Sequence, residues 1–319
     1  MNDIFPNIVG QPITKNKLSF FIENSRQNGI LPNILFVGPK GAGKTELARS
    51  LARQIKQKDG KPREFLKIGS ATLANVRQFI NQIYVPYNMI RREVTLFFDE
   101  AHAMKPDLST EFLNILDVTK DNKTLYTLDG TVYEFDFARH AFLFATTESN
   151  KIFAPLVSRF ERIDLEDYTP ADLALIIGRN LDGVEYDENM LIAMTQDLRP
   201  NPREAVKFAG HMRNYLISKN KRRLSPEDWR YVRNRLGLLP LGLNRTELKI
   251  LRVLDDRAEA SLTALASVTN MSRDSLQKDN EMYLLSRKLI DIGCRGRRIT
   301  NQGREYLRSL DDKVFYGNV

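Results

Sequence analysis

"NILFVGPKGAGKTELARSLARQI" (residues 33–55) is the stretch on which the fold turns. It opens with "NILFVG" (33–38), a short apolar run closed by glycine. It ends with "TELARSLARQI" (45–55), which puts Leu47, Ala48, Leu51, Ala52 and Ile55 on one helical face. Between them, "GPKGAGKT" (38–45) fits the spacing G-x-x-x-x-G-K-T through Gly38, Gly43, Lys44 and Thr45. A strand, a glycine-rich turn and a helix in that order make a phosphate loop. Glycines let backbone N–H groups close around phosphate oxygens, the lysine reaches the β and γ oxygens, and the threonine hydroxyl holds Mg²⁺. The stretch therefore predicts a nucleotide site made of Gly38, Pro39, Lys40, Gly41, Ala42, Gly43, Lys44 and Thr45.

Working outward, "VTLFFDEAH" (94–102) and "HAFLFATTESN" (140–150) read as further strands, apolar throughout as parallel strands covered on both faces are. Asp99 and Glu100 end the first of these and emerge together at the carboxyl edge of the expected sheet. There Asp99 completes a Mg²⁺ shell and Glu100 polarises the water that attacks the γ-phosphate. The tetrad "DEAH" invites comparison with helicases of that name, but no other motif of theirs accompanies it, and His102 reads as a structural residue at a helix start. In "ATTESNKIFAPLVSRF" (145–160) a strand ends in two threonines, of which Thr147 is placed to orient the lytic water. Arg159 follows in an apolar segment expected to be helical and to end near the surface, with no obvious partner in its own subunit. In oligomeric ATPases such an arginine reaches a neighbour's γ-phosphate, an effect of about 10³ to 10⁵ in rate, or roughly 4 to 7 kcal/mol.

The 319 residues suit two or three domains, and 42% hydrophobic with 28% charged residues is a globular balance. No apolar run approaches the roughly 18 residues of a membrane span, and "MNDIFPNIVGQ" lacks a basic region followed by an apolar core; a cytoplasmic protein without membrane partners is expected. One cysteine, Cys294, excludes an intrachain disulfide framework and a cysteine-based zinc site. A net charge of +8 favours a polyanionic partner. From "YTPADLALIIGRNL" (168–181) to about Arg235 the rhythm is helical, and "LGLLPLG" (236–242) reads as a linker. More helices follow, until "IGCRGRRIT" (292–300) supplies a basic turn between extended pieces, as in a winged helix. The expected fold is an α/β P-loop domain over 1–167 (a parallel sheet covered by helices), an all-α lid over 168–237 and a winged helix over 238–319. Arg295, Arg297 and Arg298 on the wing are the expected DNA contacts, gripping phosphates, with Gly296 allowing close backbone approach. The basic stretch 219–230 reads as a solvated loop, and the aromatic tail 311–319 either docks a partner or packs back.

Taken together, these motifs resemble the AAA+ ATPases and, within them, the RuvB branch-migration motors of Holliday junctions. "NIVGQ" (7–11), with Ile8 and Val9, looks like the adenine-side box, and "ATTES" like sensor 1. "LVSRF" resembles the arginine-finger segment with Arg159, and "NPREA" (201–205) the sensor 2 box with Arg203. "LGLNRTELKILRVL" and "EMYLLSRKLIDIGCRGRRITNQGREYL" resemble the RuvB winged helix. The resemblance implies ATP and Mg²⁺ as cofactors and a homo-oligomeric ring with Arg159 acting in trans. It also implies movement of duplex or junction DNA, and an Arg203 that senses the γ-phosphate and closes the lid. Two departures stand out. The hairpin "TLYTLDGTVYEFDF" (124–137), turned at Asp129-Gly130, is shorter than the one with which the family meets its junction-recognition protein, so its partner is a different protein or DNA. The phosphate loop carries Lys40 and Ala42 where the family has "GPPGLGKT". The rival reading is a clamp-loader or helicase-loader ATPase that uses ATP as an assembly switch on DNA; clamp loaders are expected to lack the winged helix.

Overall fold

In the computed structural model, which describes residues 3–57, 60–89, 92–117, 123–128 and 130–311, the apolar runs become the interior of a sheet. The strands of the first compact unit are β1 (Ile34–Val37), β2 (Glu64–Gly69), β3 (Val94–Asp99), β4 (Lys123–Leu128), β5 (Thr131–Asp136), β6 (Ala141–Thr146) and β7 (Glu161–Asp164). Five of them make a parallel sheet in the order β2-β3-β6-β1-β7. The central strands are apolar on both faces because helices cover both. On one side Leu35, Phe98 and Phe144 pack with Phe79, Tyr84 and Phe112. On the other, Ile34, Phe36, Phe97 and Leu143 pack with Leu18, Leu47 and Leu51. Phe98 and Phe144 stack at 4.8 Å between ring centres, and each fully buried ring of this kind contributes about 2 to 3 kcal/mol. The edge strands β2 and β7 carry charged residues on their open sides, and neither announces itself as an apolar run.

Parallel register is what assembles the site. Val37 lies beside Thr146 and Phe98 beside Phe144, so the ends of β1, β3 and β6 share one edge of the sheet. Loops leaving the carboxyl ends of such strands are where ligands of open α/β sheets bind. Under the sheet's other end, His140 is buried and its Nδ1 accepts from the Val94 amide at 3.3 Å. Burial pushes the pKa of this imidazole down to about 3, with Arg63 and Arg139 adding to the effect.

The hairpin stands as expected, with β4 antiparallel to β5, Leu125 opposite Glu134 and Thr127 opposite Val132. Phe135 is buried and meets Tyr84 edge-on at 4.8 Å, while Leu125 and Val132 are exposed. Asp129 of the turn lies outside the described residues, as does the tail beyond Asp311.

The compact units are Met1–Ile177 with Pro200–Lys207, and Gly178–Arg199 with Phe208–Val319. In the second, the helices Glu188–Thr195 and Pro226–Leu236 start at Asp187 and Ser225, whose side chains cap them, and the latter ends on left-handed Gly237. A winged helix follows, made of helices Arg245–Arg257 and Leu262–Thr269, helical residues 273–286, strands β8 (Ile290–Gly293) and β9 (Gly296–Ile299), and helix Asn301–Asp311. Leu248, Leu251, Leu254, Leu265, Leu284 and Leu289 form its core. The segment read as a linker is pinned: the Leu241 amide donates to the Gln196 carbonyl, and Tyr306 Oη donates to the Pro240 carbonyl at 2.9 Å. Arg199 donates to buried Glu247 and lies 4.3 Å over the Tyr283 ring. Among the described residues no helix is long and apolar enough to cross a membrane.

Candidate nucleotide site and basic wing

The loop between β1 and the helix Lys44–Gln54 needs two of its glycines. Gly41 (φ 85°) and Gly43 (φ 99°) lie in the left-handed region, and a Cβ on Gly41 would overlap the Asn201 carboxamide. The helix begins at Gly43 with no side-chain cap. Its first-turn amides therefore face the loop, a ready anion site. The loop is held from outside through its carbonyls, since Tyr168 Oη donates to Ala42 O at 3.0 Å and Asn201 Nδ2 to Lys40 O at 2.7 Å. The Lys40 side chain itself is exposed. Lys44 is buried and donates to the Gly38 and Pro39 carbonyls at 2.7 and 2.9 Å. Burial lowers its pKa, and Glu100 and Asp99 partly offset that.

Asp99 ends β3 and Glu100 follows in a left-handed conformation (φ 53°, ψ 53°). For a residue with a Cβ this costs about 1 to 2 kcal/mol, and it turns the chain sharply at the sheet edge. Thr147 Oγ1 donates to Glu100 Oε2 at 3.4 Å. Lys67, on the edge strand β2, places its Nζ 2.7 Å from Asp99. His102 does lie at a helix start, the short 3₁₀ helix Ala101–Ala103, and its ring is engaged as well, with Nδ1 3.0 Å from Thr146 Oγ1 and 3.4 Å from Glu100 Oε2.

Ile8 and Val9 are buried, and their side chains are spent on packing, which leaves the backbone as their hydrogen-bonding part. Gln11 ties this segment to residue 166 reciprocally, donating to the Glu166 carbonyl at 2.7 Å and accepting from its amide at 2.9 Å. Arg203 is exposed in the first turn of the helix Pro202–Ser218, and its charge is felt at Lys44. The structure thus gathers Lys44, Asp99, Glu100, Thr147 and Arg203 at one end of the sheet. Arg159 departs from expectation in two ways. The helix before it is only Ala154–Val157, and the side chain does have partners in its own subunit, donating from Nε to Leu113 O at 2.8 Å and from Nη1 to Pro155 O at 3.4 Å. These carbonyls aim the guanidinium without neutralising it.

Tyr168 and Asn201 lie in motifs read from the sequence, but their hold on the loop carbonyls was not anticipated. Lys67 carries no signal at all, because an isolated lysine on an edge strand looks like any surface charge.

On the wing the three arginines part company. Arg295 is 87% exposed beside Glu259, and Arg298 is exposed beside Asp291 at 2.8 Å. Arg297 is different: its Nε and Nη2 donate to both carboxylate oxygens of buried Glu281 at 2.7 and 3.0 Å. The expectation that all three arginines are free for DNA is corrected at Arg297, which a desolvated bidentate pair holds inward, and only Arg295 and Arg298 keep exposed guanidinium groups. Gly296 (φ 149°) is also needed internally, since a Cβ there would overlap the Ala260 carbonyl; the close approach is to the protein's own backbone. The basic stretch 219–230, read as a solvated loop, is corrected from Pro226 on: helix Pro226–Leu236 takes its second half and buries Trp229, with Ser225 and Asp228 forming the capping box and Lys221 2.6 Å from Asp228.

Residues 34–168 match the family of ATPases associated with various cellular activities (AAA), and residues 240–308 match the RuvB C-terminal winged helix domain. The Holliday junction branch migration complex subunit RuvB of Mycoplasma genitalium is 27% identical over 310 residues, covering 95% of this chain and 96% of that protein. The corresponding subunit of Treponema denticola is 27% identical over 313 residues, covering 93% and 86%. The solved structure of the Thermotoga maritima RuvB Holliday junction branch migration motor superposes with a TM-score of 0.75 at 24% identity, over 96% of this chain and 99% of that one, a likeness of fold.

Proposed function

We infer that this chain, a RuvB-like AAA+ ATPase, is a ring-forming DNA motor that hydrolyses ATP to move duplex DNA and promote branch migration at junctions. One observation carries the reading: a complete phosphate-loop site and a winged helix of the RuvB type occur in the same chain. The observed groups fit a magnesium nucleotide. Gly41 and Gly43 form a cradle that a side chain would fill, a helix start faces it, and Thr45 and Asp99 supply oxygen ligands at its edge. A bound Mg²⁺ would neutralise phosphate charge.

Each residue then has a role. Lys44 leaves its carbonyl partners for the β and γ oxygens, and Glu100 orients the water with Thr147 against its carboxylate. Arg203 reads the γ-phosphate from the lid side, and the backbone of Ile8 and Val9 meets the base. Arg159 serves a neighbouring subunit's site. On DNA, Arg295 and Arg298 grip phosphates, and the hairpin, short as it is, offers exposed Leu125 and Val132 to a protein partner, a junction-recognition protein of a different kind from the family's. The working domain limits are 1–167, 168–237 and 238–319, and the place of action is the cytoplasm. A clamp-loader role is disfavoured because the winged helix has no use in it.

The test is ATP turnover with linear duplex, single-stranded and four-way junction DNA at several salt concentrations, with Arg159→Ala beside the wild type. Stimulation by duplex or junction DNA that fades with salt and disappears in the variant is the expected result. Slow turnover indifferent to every DNA would overturn the motor and favour a nucleotide switch.

A further inference from the structure

Glu100 is an awkward residue on which to build a water-orienting site. Its backbone is left-handed, its carboxylate is 46% exposed, and its flexible side chain loses freedom only if something holds it. Thr147 provides one hold, at 3.4 Å on Oε2. The second comes from a residue whose motif position suggested nothing of the kind. His102 lies on the turn that Ala103 N closes onto Glu100 O at 2.8 Å, which carries the ring back alongside the carboxylate. One edge of the imidazole, Nδ1, is 3.4 Å from Glu100 Oε2 and 3.0 Å from Thr146 Oγ1. The other edge, Nε2, is 3.5 Å from Glu148 Oε2. The surroundings are themselves fixed: Thr146 is fully buried, its hydroxyl accepts from the Glu148 amide at 3.0 Å, and Lys151 holds the Glu148 carboxylate at 2.8 Å.

We propose that His102 is a positioning residue for Glu100, its Nδ1 edge bracing the carboxylate against the end of β6. Both holds on Glu100 fall on Oε2, so Oε1 is the oxygen turned to the water. The brace also ties the end of β3 to the end of β6, just beyond which Glu100 and Thr147 lie, so that the two residues keep one geometry. The inference rests on Glu100 being the water-orienting residue, and the experiment separates the two.

The measurement is DNA-independent ATP turnover and nucleotide affinity, the latter with a fluorescent ATP analogue, for the full-length chain. His102→Ala lowers kcat by about 10- to 100-fold, the scale of a misplaced catalytic group, with Kd for nucleotide changed less than about twofold. His102→Asn keeps a polar atom at the Nδ1 position and restores more turnover than His102→Gln, which reaches only toward Glu148. Unchanged kcat in His102→Ala would overturn the brace, as would equal rescue by Asn and Gln or a parallel loss of nucleotide affinity. If the alanine variant does not fold, the Asn and Gln comparison decides alone. Glu100→Gln measured alongside tests the premise: an inactive Glu100→Gln with a fully active His102→Ala sinks only the brace, whereas an active Glu100→Gln removes the assignment of Glu100 itself.

Discussion

The phosphate loop and the wing are both short, glycine-containing and basic, yet their residues answer to different things. In the loop, Gly41 and Gly43 are set apart by their left-handed backbone and Lys44 by carbonyls five and six positions away, while Tyr168 and Asn201 hold the loop's carbonyls from outside. A local pattern is enough to read them. On the wing, "RGRR" offers three arginines that look alike, and only a buried carboxylate sixteen residues back sets Arg297 apart from Arg295 and Arg298. A motif built on backbone geometry can be read from its own residues even where distant side chains support it, whereas the role of a side chain in a basic run is decided by what the fold brings opposite it.

The largest effect that would sharpen this contrast lies at Arg159, a side chain proposed to act on another subunit's site. Arg159→Ala is expected to lower turnover by about 10³-fold or more while nucleotide affinity holds. Mixing it with Lys44→Ala protein should restore some activity at shared interfaces, and no rescue at any ratio would place the arginine's action within its own chain. Next comes the wing. Arg297→Ala strands buried Glu281 and is expected to destabilise the winged helix by about 3 kcal/mol in denaturant unfolding, while Arg295→Ala leaves stability unchanged. Equal stabilities for the two would erase the distinction drawn between them.

A smaller effect is set by acid. His140 is held neutral with a pKa near 3, whereas the unfolded chain protonates it near 6.5. Between those values the unfolded state binds the extra proton, so this contribution is fully present above about pH 6.5 and fades as pH falls toward 3. The loss is about 2 kcal/mol by pH 5, visible as a falling denaturant midpoint whose slope His140→Leu flattens. The smallest expected effect is at the exposed wing, where Arg295→Ala should reduce the salt dependence of DNA binding by about one unit of slope, with little sequence preference lost. A similar loss of slope in Arg297→Ala, measured on folded protein, would return that residue to the DNA face.

The legibility of the chain follows the same division. β1, β3 and β6 were readable because burial on both faces leaves an unbroken apolar run, and the winged helix because its helices and basic turn come in order. β2 and β7 were not, since an edge strand keeps charges such as Lys67 and Arg162 on its open side. In the site, Lys44, Asp99 and Glu100 could be named from spacing. His102 could not be given its place, because Thr146 and Glu148 lie more than forty residues away and meet it only through the parallel register of β3 and β6.

The strand order has a consequence for how the chain is made. β1 is the fourth strand in the sheet, and its two neighbours, β6 and β7, are both translated long after it. Ile34 waits for Leu143 on one side and for Glu161, 127 residues on, on the other. At about 5 to 20 residues per second, both edges of this apolar strand stay unpaired for roughly 5 to 22 s until Leu143 is made, and the second edge for a few seconds more. The side chains that hold the phosphate loop's carbonyls, Tyr168 and Asn201, are made later still, so the loop that follows β1 gains its outside supports only once the ribosome has passed residue 201.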